Sequence, residues 1–471
     1  MIPIEKYFGM TDVETRKVLS LALSRGGQFA EVFAEYRLFN FINMEEDIIK
    51  ETAESVSLGL GIRVISGEKT GYGYTNDLSL ENIQKTALTA AAIADSAQTV
   101  TIPGFRRNKG RGSIYPARRP AHRASLEDKI GLVRRAHSAC RKVSPVIRKV
   151  KVLFNDHIQC VSIANSEGLT AEDTRPQVKL VCTAVAEKNG RREFGFSGGG
   201  GRVGLEYFER LLTPEKIGID AAEEALRLLE AVDAPAGEMP VVLASGHAGV
   251  LVHEAVGHLL EADFNRKQTS IFWDKLGRKV GSPLLTIYDD PTRPSFRGSY
   301  AIDDEGTRPA KTRLIDRGVV HSFLQDRLSA RIMGRELTGH GRRQDYTCIP
   351  IPRMSNTYVD RGEDDPEEIL KSVKKGIYAE RFEGGQVEDS GKFTFSISAG
   401  QLIEEGRLTA PIKQATLIGT NIDILQKIER VGNDLKFGLQ TGTCSKEGQD
   451  VPVTDGCPTI KIARMTVGGQ R

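Results

Sequence analysis

The strongest chemical signal in this 471-residue sequence is the segment His253-Glu254-Ala255-Val256-Gly257-His258. It lies in an apolar stretch that predicts a helix, where imidazole and carboxylate groups are costly to bury unless they are paired or bound to a metal. Zinc-peptidase helices place two histidines four residues apart on one face. Here the spacing is five residues, which in an ideal helix separates the rings by about 140°. A one-residue π-bulge, accommodated at Gly257, would bring both rings together, so we predict a bulged helix that binds a metal.

The third metal ligand is left open by spacing alone. A catalytic zinc usually has three protein ligands and one open position for water. Glu261, Cys444 and Cys457 are the candidates, because the other four cysteines lie in predicted strands or helices where a buried thiol is ordinary. Glu254 is placed to act as the general base. The alternative, two unrelated core or surface histidines, is disfavoured because both flank a glutamate in an apolar helix.

Composition excludes several classes of protein. Hydrophobic residues make up 39% and charged residues 27% of the chain, which is typical of a globular protein. The net charge of +3 does not favour a nucleic-acid partner. No apolar run approaches the roughly 18 residues of a membrane span. Because the N-terminus lacks a signal-peptide pattern and the six cysteines contain no CxxC pair, we expect a cytoplasmic protein with reduced thiols and no membrane association.

The elements that must position these residues form two predicted domains, 1–233 and 234–471. Ala234-Pro235-Ala236-Gly237 ends a long helix and marks the boundary. The first domain is predicted to be α/β, with a possible internal α-ββββ-α pseudo-repeat, because a helix, four short strand-like runs and a helix recur in order. The second is predicted to be a β-rich antiparallel sandwich or barrel against which the metal-site helix lies.

Four further patterns bear on this organisation. The chain contains a glycine run, Gly198–Gly201, followed by Arg202. The run lacks a P-loop ending, so it indicates a glycine-rich turn or a substrate-facing edge. Residues 366–379 are predicted to be helical. Lys392–Ser398 alternates apolar and polar residues, which favours a core strand over one that pairs with a peptide. Residues 104–124 contain seven Lys or Arg and no acid, and a solvated loop is favoured over a nucleic-acid contact.

The histidine motif and several later blocks together resemble the TldD/PmbA family of metalloproteases. These blocks are Asp304-Glu305-Gly306-Thr307, Gln325 to Arg331, Gly341-Arg342-Arg343, Pro352 to Tyr358, Gly384 to Val387 and Val431 to Asp434. Within the family, the catalytic TldD branch carries the histidine pair and the other branch lacks it. The chain is therefore similar to the catalytic branch.

The resemblance implies a zinc site and a peptide substrate. It assigns one Zn²⁺ per active subunit to His253, His258 and Cys444, the last because the family motif Cys-x-Lys-x-Gly-Gln matches residues 444–449. It also implies short or unfolded peptides as substrates, which enter a chamber in a dimer. The second subunit is either an inactive PmbA/TldE-like paralogue or a second copy of the chain. The fold implied is an α/β N-terminal domain followed by a β-rich C-terminal domain.

The remaining candidate residues have supporting roles. Glu261 and Asp263 are expected to orient the histidines. Arg342, Arg343 and Tyr346 are candidates for stabilising the oxyanion of the reaction. The competing function is a non-catalytic peptide-binding or scaffold subunit whose zinc is structural and closed by four protein ligands.

Overall fold

The computed structural model describes residues 9–94, 100–108, 110, 114–388, 390–413 and 415–469. The N-terminal residues used above and parts of the basic 104–124 segment (109 and 111–113) lie outside these ranges. The helices are α1 (Asp12–Ala22), α2 (Leu80–Ala91), α3 (Leu126–Val143), α4 (Tyr207–Arg210), α5 (Pro214–Leu229), α6 (Val250–Val252), α7 (Ala262–Arg266), α8 (Arg327–Met333), α9 (Pro366–Lys371) and α10 (Asn421–Gln426). Short 3₁₀ turns lie at Ala121–Arg123, His247–Gly249 and His258–Leu260, and a π-helical turn at His253–Gly257.

The strands divide between the two halves of the chain. Those of the N-terminal half are β1 (Phe29–Glu45), β2 (Ile48–Ser66), β3 (Lys69–Thr75), β4 (Arg106–Asn108), β5 (Ile147–Asn165), β6 (Leu169–Lys188) and β7 (Arg191–Gly201). Those that follow are β8 (Val232–Asp233), β9 (Gly237–Leu243), β10 (Ile287–Asp289), β11 (Thr312–Asp316), β12 (Val319–Val320), β13 (Gly341–Arg342), β14 (Ile351–Pro352), β15 (Asn356–Val359), β16 (Lys375–Val387), β17 (Lys392–Glu404), β18 (Arg407–Lys413), β19 (Ala415–Thr420), β20 (Ile428–Val431), β21 (Lys436–Phe437), β22 (Thr443–Lys446), β23 (Gln449–Pro452), β24 (Thr454–Cys457) and β25 (Ile460–Gly468).

The N-terminal half is one sheet with helices against it, which confirms the α/β prediction. Its strand order is β3-β2-β1-β5-β6-β4, with β7 also paired to β6. The recurrence is real but contains three long strands instead of four, α1-β1-β2-β3-α2 and then α3-β5-β6-β7-α5. The prediction of four was wrong because β1 continues through residues 38–41 and β5 continues through residues 155–158, where each strand was expected to break. The two strands pair with each other along these stretches. Helix starts follow side-chain caps, with capping boxes at Thr11 and Ser125.

The C-terminal half is β-rich, as predicted. Strands β16, β9, β25, β19 and β17 pair in that order, and β16 also pairs with β17, which closes a five-stranded barrel. A second sheet has the order β12-β11-β10-β15-β24-β21. The predicted helix 366–379 ends at Lys371, because the chain from Lys375 pairs with both β9 and β17.

Strand β17 shows the predicted alternation and is the core strand that this pattern favoured. Phe393, Phe395 and Ile397 are buried in the core. Both edges of the Lys392–Ile397 segment are occupied, one by β16 and the other by β19. The alternative, in which a peptide pairs as an added strand along this segment, is therefore excluded, since no backbone edge is left for it.

The join between the two halves lies near the predicted boundary. Strand β8, at the end of the first half, pairs with β18 of the second. The boundary at 233/234 stays a prediction, since this pairing ties the two halves together there. Within the described ranges, no helix is long and apolar enough to cross a bilayer.

Candidate metal centre

The segment that carries the two histidines is bulged as predicted. Helix α6 passes into the π-helical turn His253–Gly257 and then into the 3₁₀ turn His258–Leu260. The centroids of the two imidazole rings lie 5.3 Å apart, with the ring planes at 87°. The extra residue of the turn therefore brings onto one side two rings that an ideal helix would separate.

Gly257 is required for a different reason from the one predicted. Its backbone angles, φ −58° and ψ −51°, are ordinary for a helix, so the bulge does not need glycine's conformational freedom. A Cβ atom at this position would instead lie 2.0 Å from the Sδ atom of Met354. Glycine lets Met354 pack directly against the bulge, and the apolar residues Leu251, Ala255 and Leu259 are buried around it.

Cys444 supplies a third donor from a distant part of the chain. It lies in β22, which forms a hairpin with β23, and its Sγ atom is 3.3 Å from Nε2 of His258. The donor atoms of His253, His258 and Cys444 all lie within 4.8 Å of one another. Nitrogen and sulfur ligands of one tetrahedral zinc lie about 3.5 Å apart when the bonds have their usual lengths. The 3.3 Å between Sγ of Cys444 and Nε2 of His258 is close to that value.

The electrostatics of the three side chains also suit a cation. Burial alone would raise the pKa of the Cys444 thiol, but the neighbouring imidazoles of His258 and His253 hold it well below its ordinary value. Cys444 is therefore disposed to be a thiolate, the form that binds metals. The Nδ1 atom of His253 is buried and has no hydrogen-bond partner among the described residues. A buried nitrogen with no partner beside a thiolate fits a bound metal ion better than a closed hydrogen-bonded core.

The other two candidates for the third ligand have different partners. The Sγ atom of Cys457 is buried and lies 3.3 Å from the backbone oxygen of Ala244. Glu261 is fully buried, and its Oε2 atom is 3.0 Å from Nδ1 of His258, on the opposite side of that ring from Cys444. Glu261 thus contacts the histidine and not the space between the three donors.

A buried lysine links the supporting carboxylates. Nζ of Lys446 donates to Oε2 of Glu261 at 2.9 Å and to Oδ1 of Asp263 at 2.8 Å. Burial alone would raise the pKa of Glu261, but Lys446 and His258 hold it below its ordinary value, so this carboxylate stays charged. Glu261 therefore orients His258 directly, and Asp263 acts through Lys446. Lys446 was not predicted, although its position two residues after Cys444 in a strand places both side chains on one face.

Glu254 lies beside the donors and faces an open cleft. Its side chain is 38% exposed, and its Oε2 atom is 3.7 Å from Nε2 of His258. The cleft has a volume of about 140 Å³ and is lined by His247, Val250, His253, Glu254, residues 438–443 and residues 453–455. His247, which sequence reasoning left as an ordinary histidine, lies in this cleft with Nδ1 3.7 Å from Oδ2 of Asp455.

The three predicted oxyanion donors have other partners in the structure. Arg342 donates to the backbone oxygens of Met354 and Pro452. Arg343 donates to Oε1 of Glu31 at 2.5 Å, across the join between the two halves. The ring of Tyr346 lies against Gly59 of β2. Their catalytic role stays a prediction, and we do not use it below.

Comparison with known proteins identifies the family. Residues 30–94, 119–229 and 236–469 match the profiles of PmbA/TldA metallopeptidase domain 1, central domain and C-terminal domain. The metalloprotease TldD homolog of Haemophilus influenzae is 43% identical over 432 residues, which cover 90% of each chain. The chain belongs to the PmbA/TldD family of metallopeptidases. It is thus a metallopeptidase, and its bulged helix and Cys444 lie within the family's C-terminal domain.

Other relatives agree with this PmbA/TldD assignment. The metalloprotease TldD homolog of Buchnera aphidicola subsp. Acyrthosiphon pisum is 41% identical over 436 residues, covering 90% of this chain and 89% of that one. Two solved structures share the fold. They are a putative modulator of a DNA gyrase from Thermotoga maritima (TM-score 0.79, 24% identity, 97% of this chain and 100% of that one) and TldE from Thermococcus kodakarensis (TM-score 0.75, 18% identity, 97% and 100%).

Proposed function

We propose that His253, His258 and Cys444 bind one zinc ion and that Glu254 transfers protons during hydrolysis of a peptide bond. The observation that carries this proposal is the convergence of the three donors on one side of the bulged helix, next to a carboxylate that faces a cleft. A more distant relative, of Saccharolobus solfataricus, is named a zinc metalloprotease TldD homolog and is 26% identical over 96% of this chain and 99% of that one. Its name supports zinc as the metal.

The side chains divide the chemistry between them. When bound, Zn²⁺ supplies Lewis acidity that activates water and polarises the scissile carbonyl group. Glu254 accepts the proton of the attacking water and later delivers it to the leaving amine. Glu261 accepts a hydrogen bond from Nδ1 of His258, which leaves Nε2 free to face the donor site. Lys446 fixes the position of Glu261 in turn.

We further propose short or unfolded peptides as substrates and a dimer as the working assembly. The cleft beside Glu254 is small, with a volume of about 140 Å³, so it suits an extended backbone better than a folded surface. The likeness in fold to a protein titled TldE supports pairing with a related subunit, with self-pairing as the second possibility. All six cysteines are free thiols, which supports a location in the cytoplasm.

Replacing Glu254 by Gln tests the catalytic proposal. We expect peptide hydrolysis to fall by about 10²–10⁴-fold, the usual contribution of a general base, with the zinc content unchanged. Glu336→Gln, at an exposed glutamate, is the matched control and should keep full activity. Undiminished hydrolysis by pure Glu254→Gln protein would exclude this role.

Metal analysis tests the ligand set separately. Zinc should bind at one ion per chain, and Cys444→Ala should lose most of it. The competing function, a scaffold with a structural zinc, requires a fourth protein ligand. It would be favoured if Glu254→Gln lost zinc as Cys444→Ala does, because Glu254 would then be a ligand.

A further inference from the structure

A group of basic side chains, three of them buried, lies behind the wall of the cleft that faces the metal centre. The group comprises the cations Arg37, Lys179, Arg202 and Arg297 and the imidazole of His157, whose pKa is held well below its ordinary value by burial and then by the neighbouring arginines. We call it the cationic cluster. Strand register places Arg37, His157 and Lys179 on one face of the N-terminal sheet, since Arg37 is opposite Gln159 and His157 is opposite Gln177. This face packs against the C-terminal half, where Lys179 reaches the backbone oxygen of Thr441.

No carboxylate neutralises this cluster at close range. Among the described residues, none of its five members forms an ion pair with an acid within 4.0 Å. Nη1 of Arg202 and Nη1 of Arg297 are buried without any hydrogen-bond acceptor. Burial, followed by repulsion from Arg202 and Arg37, lowers the pKa of Arg297 to about 9. Burial and the neighbouring Arg297 likewise lower the pKa of Lys179 to about 8.

Such an arrangement is costly unless something else supplies the negative charge. Removing one uncompensated cation from water costs several kcal/mol even after the protein relaxes. Buried polar groups without partners therefore call for an explanation such as a ligand. Guanidinium groups in particular match the planar, bidentate geometry of a carboxylate.

The cluster borders the wall of the cleft that holds Glu254. Arg297 donates through Nε to the backbone oxygen of Gly442 at 2.7 Å and through Nη2 to Oγ1 of Thr443 at 3.3 Å. Residues 440–443 line that cleft and lead directly into Cys444. Arg37 and Lys179 are partly exposed, so the cluster is open to solvent at its rim. No member of the cluster lines the described cleft itself, so a peptide meets this positive charge where it extends past residues 440–443 to the exposed rim.

We propose that the cationic cluster binds a carboxylate group of the peptide substrate, either its C-terminal carboxylate or an Asp or Glu side chain. This inference rests on the proposed peptidase function and adds a substrate preference to it. The glycines before Arg202 contribute by close packing, since a Cβ at Gly201 would lie 2.4 Å from the backbone oxygen of Ser295. The glycine-rich edge thereby helps to position Arg202 for binding the substrate carboxylate.

Binding to an inactive enzyme gives the first test. Zinc-loaded Glu254→Gln protein is titrated with fluorescent peptides of one sequence that end in a free carboxylate or an amide, and with Asp-to-Asn versions of each. We expect the preferred acid to bind about tenfold more tightly than its neutral counterpart. The two peptide pairs distinguish the terminal from the side-chain source. Equal affinity within both pairs overturns the proposal.

Variants of the cluster give the second test. Lys179→Met and Arg37→Met change partly exposed rim positions, so they should fold even if Arg202→Met does not. Each should raise KM about tenfold for the carboxylate peptide while kcat, and all constants for the neutral peptide, stay unchanged. Lys151→Met, at an exposed lysine of β5, is the matched control. Equal KM changes for acidic and neutral peptides would overturn the proposal.

The outcomes separate this proposal from the proposed function. If no peptide is hydrolysed but the acidic peptide still binds more tightly, the catalytic proposal fails and the carboxylate site stands. If hydrolysis is normal but shows no preference for a carboxylate, the carboxylate site fails alone. If Lys179→Met changes the mass of the oligomer in solution and not the preference, acidic groups of a partner subunit occupy the cluster, and the proposal is overturned.

Discussion

Two groups of buried charges lie on the same face of the N-terminal sheet, and they differ in how they are neutralised. The first, which we call the paired cluster, contains Glu31, Arg63, Glu305 and Arg343. Arg63 contacts Glu31 at 2.9 Å and Glu305 at 2.6 Å, and Arg343 contacts Glu31 at 2.5 Å. The second is the cationic cluster, which begins at Arg37, six residues and about 20 Å further along β1.

This difference distinguishes buried charges that stabilise the fold from buried charges that can bind a ligand. Both clusters leave some arginine Nε atoms without partners, so that feature does not distinguish them. The terminal nitrogens do, because those of Arg63 and Arg343 contact carboxylates, whereas Nη1 of Arg202 and of Arg297 have no hydrogen-bond partner in the described part of the chain. Balanced charges across the join between the two halves hold the halves in register. Unbalanced charges beside the cleft remain available to a ligand.

The largest effect is expected from breaking the paired cluster. Arg63→Met leaves Glu31 and Glu305 buried with fewer cations, and Glu305 loses its direct ion pair. Removing one partner of a buried pair should lower the free energy of unfolding by about 3–5 kcal/mol. Urea denaturation followed by fluorescence measures this change. A loss below 1 kcal/mol would show that the paired cluster does not stabilise the fold.

Arg202→Met is the matched change in the cationic cluster. It removes a buried cation that has no ion pair, so the free energy of unfolding should be unchanged or should rise by up to about 2 kcal/mol. If Arg202→Met destabilises the protein as much as Arg63→Met, the two clusters do not differ in the way described here.

An intermediate effect is expected at Lys446, which is neutralised like the paired cluster but lies beside the candidate metal site. It is paired with two carboxylates, but these lie beside His258, a proposed metal ligand, and not at the join between the two halves. Lys446→Met frees Glu261 from its anchor, so His258 is held less firmly. Loss of such outer contacts typically lowers metal affinity by about 10–100-fold. Competition with a chromogenic zinc chelator measures it, with Lys267→Met at an exposed lysine as the control. Unchanged zinc affinity would show that the lysine only stabilises the fold.

The local parts of the fold were predictable from sequence, and the long-range parts were not. The five-residue spacing of His253 and His258 in an apolar segment predicted the bulge, because the constraint acts within one turn of chain. The alternation of Lys392–Ser398 predicted the buried face of β17 for the same reason. The pairing of Ile377–Ala379 with β9 was missed, because it depends on a strand more than a hundred residues away.

The candidate site was likewise predictable where its residues are close in sequence and not where they are distant. Both histidines and Glu254 lie in one short segment, and only family resemblance singled out Cys444, which is 186 residues from His258. Neither charge cluster was predicted. Arg63 and Glu305 are 242 residues apart, and no local pattern marks them as partners. The glycine-rich edge before Arg202 was recognised in the sequence, but the residues that pack against it come from distant parts of the chain and could not be predicted.

The smallest effect concerns Glu35, which lies on β1 between the two clusters. Its side chain accepts hydrogen bonds from Nε2 of Gln159 at 2.7 Å and from the backbone N–H of Tyr346 at 2.9 Å. Burial, with a smaller contribution from Asp345, raises its pKa to about 7 despite these bonds and the nearby Arg37. The folded protein therefore binds this proton more tightly than the unfolded chain, in which glutamate has a pKa near 4.3.

This shift predicts a pH dependence of stability with a definite sign. The stabilisation from Glu35 is complete below about pH 4 and is lost as the pH rises through about 7, since the unfolded chain then releases the proton first. Between pH 6 and pH 8, the free energy of unfolding of the unchanged protein should fall by about 1–2 kcal/mol more than that of Glu35→Gln. Urea titrations at several pH values measure the difference, and Glu68→Gln, at an exposed glutamate, should follow the unchanged protein. If Glu35→Gln shows the same pH dependence as the unchanged protein, Glu35 is ionised and is neutralised by the Arg37 guanidinium. The cationic cluster would then contain a carboxylate of its own, which contradicts the difference between the two clusters.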